Sequence, residues 1–428
     1  MTQIELSYQQ QAAKEIAESW FRKTSELASD DQRKKSDASD RTPLPPCRIF
    51  GYAGTGKTTM LRSLLSGITG DKVHAAFTGK AAMVMRKNGI PATTIHSMAY
   101  RPVPPNKKKC DELLEAAKLA TDKAEKTALY AQLSEARKIS FELKTKEESV
   151  LSDAVILVLD EVSMVGYDMR SDLESFDVPT LVLGDPGQLP PIKGKGAYIG
   201  GTPDALLTEI HRQAKDNPLI ELATKARNGI PLVSGEFGTS KVVGQIGVKF
   251  TELLEYDQVL CGKNATRKTL NTSMRMALGR QDQSIYPVEG EKIICLANDR
   301  VRKDNGEHVA IFNGGMGEVL KVGDEDMTSI KLLVLMEGHE KSFWVRALKA
   351  HFDSYYNPDV LKEVKWWDKR DTQEFDFGYA ITVHKAQGSQ WDTVALYDDK
   401  FLSWKLQERN KWLYTAITRA AESVAIYR

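Results

Sequence analysis

Four cysteines in 428 residues, Cys47, Cys110, Cys261 and Cys295, stand far apart with no CxxC pair. A disulfide framework or a thiolate zinc site is therefore not expected; reduced core thiols are. No apolar run approaches the roughly 20 residues needed to cross a bilayer. The opening residues Met1, Thr2, Gln3, Ile4 and Glu5 carry neither the basic nor the apolar block of a secretion signal. A cytoplasmic location without membrane attachment is the expectation. An excess of one charge is also missing, with 59 Lys and Arg against 58 Asp and Glu and a net charge of +1. A nucleic-acid partner cannot be argued from that balance and would need a local groove. With 41% hydrophobic and 27% charged residues, the chain has a globular composition and length enough for two or more domains.

What is present begins with Phe50 to Thr59 (FGYAGTGKTT), which fits the GxxxxGK-plus-Ser/Thr phosphate loop at every fixed position. Gly51, Gly54 and Gly56 let backbone N–H groups turn inward around a triphosphate. Gly54, Thr55, Gly56, Lys57, Thr58 and Thr59 are the candidate ATP-binding residues, with Lys57 reaching the terminal phosphates and Thr58 a ligand for Mg²⁺. Cys47 to Phe50 reads as a buried strand and Thr58 to Leu65 as the helix whose N-terminus faces the anion.

Around this loop, Val73 to Thr78, Val155 to Leu159 and Thr180 to Leu183 are apolar runs of strand length, as in a parallel sheet covered on both faces. Ser7 to Phe21 reads as a helix, with Ser7 and Gln10 as a capping box, and Thr24 to Pro46 as a solvated linker. Lys107 to Ser140 carries Leu113, Ala117, Ala120, Ala124, Ala128 and Ala131 at helical spacing amid Lys and Glu. It predicts one long helix or a helical hairpin, either a charged spacer or a working subdomain, with Arg101 to Pro105 and Ile139 to Leu143 as short strands. A second αβ block begins near Tyr256, includes Gln258 to Cys261 and Lys292 to Leu296, and is interrupted from about Phe312 to Lys349 by a small β-barrel pattern.

The end of the Val155 to Glu161 run (VILVLDE) supplies Asp160 to hold Mg²⁺ and Glu161 to orient an attacking water. Thr180 to Ile192 (TLVLGDPGQLPPI) repeats that geometry, placing Asp185 and Gln188 past a strand end; Gln188 is a candidate γ-phosphate sensor. In this order the motifs resemble those of superfamily 1 DNA helicases, in the branch containing the Dda helicase of tailed phages and RecD. The resemblance covers nearly the whole chain outside the insertions. It implies an α/β fold of two RecA-like parallel-sheet domains forming a P-loop NTPase motor. A mostly helical insertion would interrupt the first domain and a small SH3-like β-barrel the second. The expected boundaries are 1–100 with 151–212, an insertion at 101–150, 213–303 with 375–428, and an insertion at 304–374.

The resemblance also implies roles residue by residue. Leu6 to Ala13 is similar to the Q motif, where Gln10 would read the adenine edge, in competition with its capping role. Phe77 to Ala82 (FTGKAA) and Thr94 to Met98 (TIHSM) would touch single-stranded DNA through Thr78, Lys80, Thr94 and His96. Leu207 to Gln213 (LTEIHRQ) presents Arg212 to ATP, and Lys411 to Ala420 (KWLYTAITRA) presents Arg419 as a second arginine from the other domain. Gly378 to Thr393 would place Thr382 and His384 on the strand and Gln387 and Gly388 near the cleft. Thr266, Arg267, Asn271 and Arg275 would open the second domain with phosphate contacts, and Trp366, Trp367 and Trp391 are base-stacking or core residues.

The implied activity is an ATP-dependent DNA helicase, moving 5′ to 3′ on single strands and acting on duplex or forked DNA. ATP and Mg²⁺ are its cofactors, and residues 101–150 its candidate wedge. Single-strand-binding or replisome proteins are further candidate partners, and the chain would act as a monomer. An ATP-gated DNA translocase or remodelling protein with little unwinding is one alternative. A P-loop enzyme without DNA, such as a small-molecule kinase, is the other.

Overall fold

The computed structural model describes residues 6–29, 42–87, 89–103, 106–136, 140–190, 196–210, 217–302, 306, 308–364, 368–369, 372–399 and 404–428. Six parallel strands form the first sheet, in the spatial order Ala92–Thr94, Asp71–Ala76, Ala154–Asp160, Thr180–Gly184, Cys47–Gly51 and Ala205–Leu207. Side chains alternate across a strand, so neighbours in sequence go to opposite faces. Ile49, Ile156, Val158, Leu181 and Leu183 pack under Met60, Leu61 and Leu64 of the helix Lys57–Ser66 and under Ala13 and Ala17 of the N-terminal helix. Phe50, Leu157, Leu159 and Val182 pack on the other face with Leu173 and Phe176. Continuous apolar runs are needed because both faces are covered. Since all strands run one way, their carboxyl ends share one edge, and the phosphate loop, Asp160 and Gly184 meet there.

The second sheet has the order Ala380–Thr382, Gln258–Cys261, Trp391–Tyr397, Ala420–Tyr427, Ser240–Val243 and Gly235–Phe237, parallel except for its last, edge pair. The helix Leu406–Ile417 buries Trp412, Leu413, Tyr414, Thr415, Ala416 and Ile417, and a short turn then leads into Ala420–Tyr427. Two parallel α/β lobes are thus present, each interrupted as expected.

The first insertion is a helical hairpin, Lys107–Leu119 and Lys123–Ala136, standing on the antiparallel pair Tyr100–Val103 and Ser140–Leu143. Its seam differs from the alanine row read in the sequence. Cys110, Ala117 and Leu133 are buried while Ala124 and Ala128 are exposed. The break at Ala120 to Asp122 resets the helical phase, so one row cannot run through both helices.

Three further expectations are corrected. The first helix runs Tyr8–Ser29 instead of ending at Phe21, because Thr24 is buried and Trp20 donates its indole N–H to Pro45 O at 2.7 Å, holding the helix on the returning chain. Lys292–Cys295 belongs not to the parallel sheet but to a five-stranded antiparallel sheet with Met316–Glu325, Ser329–Met336, Phe343–Leu348 and Phe375–Phe377. The β insertion therefore draws strands from both sides of its expected 304–374 limits. Finally, Arg267, Asn271 and Arg275 are buried inside the second lobe. Arg267 pairs with Asp376, Asn271 holds the Ala380 backbone, and Arg275 pairs with Glu291, whose Oε1 also accepts from Tyr379. They brace the barrel against the lobe, leaving no surface for phosphates.

Arg275 and Glu291 have side-chain exposures of 1% and 0% and two contacts of 3.0 and 3.1 Å. Removing one member leaves a buried charge uncompensated, so Arg275→Ala should destabilise the second lobe by about 3–5 kcal/mol. Urea unfolding measures this, and an unchanged midpoint would contradict the bracing role.

Candidate active site in the interlobe cleft

Between the strand Cys47–Gly51 and the helix Lys57–Ser66, Gly54 and Gly56 adopt φ of 77° and 72°, the left-handed region in which a side chain is strained. The backbone there forms the concave loop that the motif predicts. Thr55 is buried, its hydroxyl on Tyr52 O at 2.8 Å, while Thr58 and Thr59 are exposed at the start of the helix. Lys57 Nζ folds onto Gly51 O at 2.5 Å and Tyr52 O at 3.3 Å. Gln10 is 2% exposed; its Oε1 accepts from Ser7 N at 3.0 Å, and its Nε2 donates to Thr55 O at 3.1 Å and Gly56 O at 3.3 Å. The capping box is therefore formed, and the same carboxamide buttresses the phosphate loop. Reading an adenine edge would require it to leave these partners.

Asp160 closes its strand and accepts the Glu161 N–H at 2.8 Å. Glu161 has φ 52°, one of two described non-glycine residues with positive φ, a strain of order 1–2 kcal/mol located at the cleft. Burial, then the Glu161 charge, pushes the Asp160 carboxyl up to about 6, with Lys57 opposing. Burial likewise raises Asp185, opposed by Lys57 and by hydrogen bonds from Tyr414 and Gly187. With its amide oriented to satisfy both neighbours, Gln188 Nε2 donates to Glu161 Oε2 at 3.0 Å and its Oε1 accepts from Arg419 Nη2 at 3.3 Å.

Arg419 comes from the second lobe and is 5% exposed. Its Nε and Nη1 are fixed on Thr415 O and Ser389 O, each at 3.1 Å, and Nη2 donates to Thr418 Oγ1 at 3.4 Å and faces Gln188. A cavity of about 260 Å³ lies between the lobes, bounded by Gly54, Lys57, Asp160, Glu161, Asp185, Gln188 and Arg419. Asp160, Glu161 and Asp185 face Lys57 and Arg419 across this cavity. Among the described residues no group of three or more His, Cys, Asp or Glu could hold a metal alone. Asp160 bounds this cavity and Thr58 stands in the first turn of the helix Lys57–Ser66; these are the residues that would hold Mg²⁺, whose shell phosphates and water would complete. Arg212, with 211–216, lies outside the described residues, as do Trp366 and Trp367.

The six residues read as strand contacts lie apart from this cavity's chemistry, and each has a local partner. Thr78 Oγ1 accepts from Ala81 N at 3.1 Å, and Thr94 Oγ1 from Ser97 N at 3.1 Å, both as helix caps. Lys80 pairs with Glu337 of the β insertion at 3.0 Å and sits 4.2 Å over the Trp391 ring. His96 joins Phe77, Tyr100 and the half-exposed Phe141 in a ring cluster. His384 packs edge-on to Trp404, and burial lowers the basicity of both His96 and His384. Thr382, expected to face a strand, is 8% exposed, its Oγ1 accepting from Lys385 N at 3.4 Å. Tyr414 and Thr415 were not anticipated. Their signal was a polar pair inside an otherwise apolar helix, TyrThr within KWLYTAI.

The electrostatics give a pH test. Asp160 binds its proton more tightly folded, at about 6, than at its ordinary 3.8. The folded state is thus favoured below both values, and that advantage is lost as pH rises through 6. Asp160→Asn should raise the stability of the Mg²⁺-free protein at pH 7.5 by on the order of 2–3 kcal/mol, with little effect at pH 4. Thermal unfolding at the two pH values measures it; equal effects at both would exclude the buried-charge account.

Comparison with known proteins agrees with the motif order. The AAA domain family matches residues 47–235, and the UvrD-like helicase C-terminal domain family matches 377–427. The ATP-dependent RecD2 DNA helicase of Deinococcus radiodurans is 28% identical over 289 residues, 62% of this chain and 35% of that protein. The conjugal transfer protein TraA of Rhizobium radiobacter is 22% identical over 442 residues, 95% of this chain and 33% of that one. The chain spans about a third of the length of these curated relatives. A Pif1 helicase from Bacteroides, crystallised with ADP-AlF3 and ssDNA, is 17% identical over 95% of this chain and 91% of that one, at a TM-score of 0.44. By its ordered motifs, its two parallel-sheet lobes and these two family matches, the chain resembles the superfamily 1 helicases of the RecD-like branch.

Proposed function

We propose that this chain is an ATP-dependent DNA helicase that moves along single-stranded DNA, 5′ to 3′, and unwinds duplex or forked DNA. The observation that carries the proposal is the line Glu161, Gln188, Arg419, which crosses from one lobe to the other inside the cleft. In it, backbone N–H groups of Gly54 to Thr59 and Lys57 hold the phosphates, Glu161 orients water, and Gln188 senses the γ-phosphate. Arg419, with Arg212, stabilises the charge that spreads over the transferring phosphoryl oxygens, a contribution of roughly a thousandfold or more in such sites. Mg²⁺ on Thr58 and Asp160 would neutralise charge on the β- and γ-oxygens. Because Arg419 belongs to the second lobe, hydrolysis and lobe closure become one event. Alternating grip on the strand then turns closure into stepping, as each nucleotide state favours one arrangement by differential affinity.

In this proposal residues 101–150 are the wedge, working against duplex stacking of about 1.4 kcal/mol per step. Thr78, Lys80, Thr94, His96, Thr382 and His384 line the strand path once the lobes part. The experiment is ATP turnover with and without oligo-dT, paired with displacement of forked duplexes bearing 5′ or 3′ tails. Single strands should raise turnover at least tenfold, 5′-tailed forks should be unwound, and Arg419→Ala should cut turnover by about a thousandfold with ATP affinity little changed. Stimulation without displacement would favour a translocase or remodeller. No stimulation would exclude a DNA motor and leave a P-loop enzyme acting without DNA.

A further inference from the structure

The hydroxyl of Tyr414 occupies a junction that none of the motif roles uses. It accepts from the Ala53 N–H of the phosphate loop at 2.8 Å and donates to Asp185 Oδ2 at 2.6 Å. Asp185 is itself held, its Oδ1 accepting from Gly187 N at 2.9 Å. Tyr414 is 1% exposed, so these partners cannot be exchanged for water without cost. The next residue extends the contact. Thr415 Oγ1 accepts from Leu189 N at 2.9 Å, and Gln387 Nε2 donates to Leu189 O at 3.0 Å, so the loop after Asp185 is gripped by the second lobe at both backbone groups. Gly187 makes the approach possible: a Cβ there would stand 2.8 Å from Tyr414 Cε1. Five residues beyond Tyr414, and hydrogen-bonded to Thr415 O, lies Arg419.

We propose that Tyr414 is a positioning residue: its hydroxyl locks the helix that delivers Arg419 onto two loops of the opposite lobe, the phosphate loop at Ala53 and the Asp185 loop. Nothing in this role touches the reacting phosphate. Its effect is registry, since a displacement near 1 Å at a catalytic group can cost on the order of a hundredfold in rate. The hydroxyl serves because only a group that both accepts and donates can satisfy an N–H and a carboxylate at once. The assignment rests on reading the cleft as an ATPase site.

The test is Tyr414→Phe, which removes one oxygen and keeps the ring, assayed below the unfolding midpoint of the least stable variant. Strand-stimulated kcat should fall about ten- to a hundredfold, while the dissociation constant for MgATP changes less than threefold. The double variant Tyr414→Phe/Arg419→Ala should be no slower than Arg419→Ala alone, because the hydroxyl acts through that arginine. A merely structural tyrosine would give losses that multiply. Gly187→Ala, which pushes the ring aside, should reproduce the pattern. Unchanged stimulated turnover in Tyr414→Phe, or multiplying losses in the double variant, overturns the inference. Lack of turnover in the unaltered protein instead overturns the proposed function itself.

Discussion

Carboxylates withheld from water at the end of a parallel strand are the constraint on which this molecule turns. Asp160 is pushed upward by its burial and by the neighbouring Glu161, and Asp185 by burial at the next strand over. Desolvated anions side by side are unfavourable unless cations or donors reach them. Lys57 is the near cation; it opposes the rise at both carboxyls while its ammonium also donates to the loop's own carbonyls. The second lobe adds the Tyr414 hydroxyl on Asp185 and places Arg419 on Gln188, which donates to Glu161. At Asp185, then, one of the carboxylate's donors comes from the other lobe, so the cleft draws polar partners from both lobes.

That dependence reaches into the packing. Leu189, which follows the Asp185 loop of the first sheet, belongs to the same apolar cluster as Trp412, Tyr414 and Ile417 of the second lobe. Its backbone N–H and C=O are both taken by that lobe. A loop so held is tied to the helix that carries Tyr414. Side chains in close-packed interiors shift between discrete arrangements more readily than they deform continuously. Under the proposed function, the loop from Asp185 to Leu189 would be the mechanical link between the nucleotide site at one sheet edge and the other sheet.

Much of this was legible in the sequence because fixed local geometry writes fixed local residues. The left-handed turns at Gly54 and Gly56, the strand-end placement of Asp160 and the apolar runs of a doubly covered sheet each leave a pattern within a few residues. Sheet membership was not legible at Lys292–Cys295, since an apolar strand pairs as readily in an antiparallel barrel as in a parallel sheet. Nor was burial of Arg267 and Arg275: their partners Asp376 and Glu291 are far off or unpatterned in sequence, and a lone arginine reads as exposed. Tyr414 was missed for the same reason. Its worth lies in two acceptor and donor groups 229 and 361 positions away.

Lys80 joins the first lobe to both the β insertion and the second lobe. Its ammonium, read as a phosphate contact, is paired with Glu337 and lies over Trp391, so the β insertion and the second lobe both use the cation a strand would need. Side-chain exposures of 11% and 37% put the pair between buried and surface, where an ion pair contributes about 1 kcal/mol. A polynucleotide replaces one carboxylate by a run of phosphates and gains counterion release with each contact. Under the proposed function, a strand's phosphates would compete with Glu337 for this cation. A Cβ at Gly79 would stand 3.1 Å from Phe312 Cδ2 and one at Gly338 2.9 Å from Met83 Sδ, so the chain packs tightly at this junction. Under the proposed function, opening it is the step at which strand binding is felt by the lobes, and through Leu189 and Tyr414 by the nucleotide cleft.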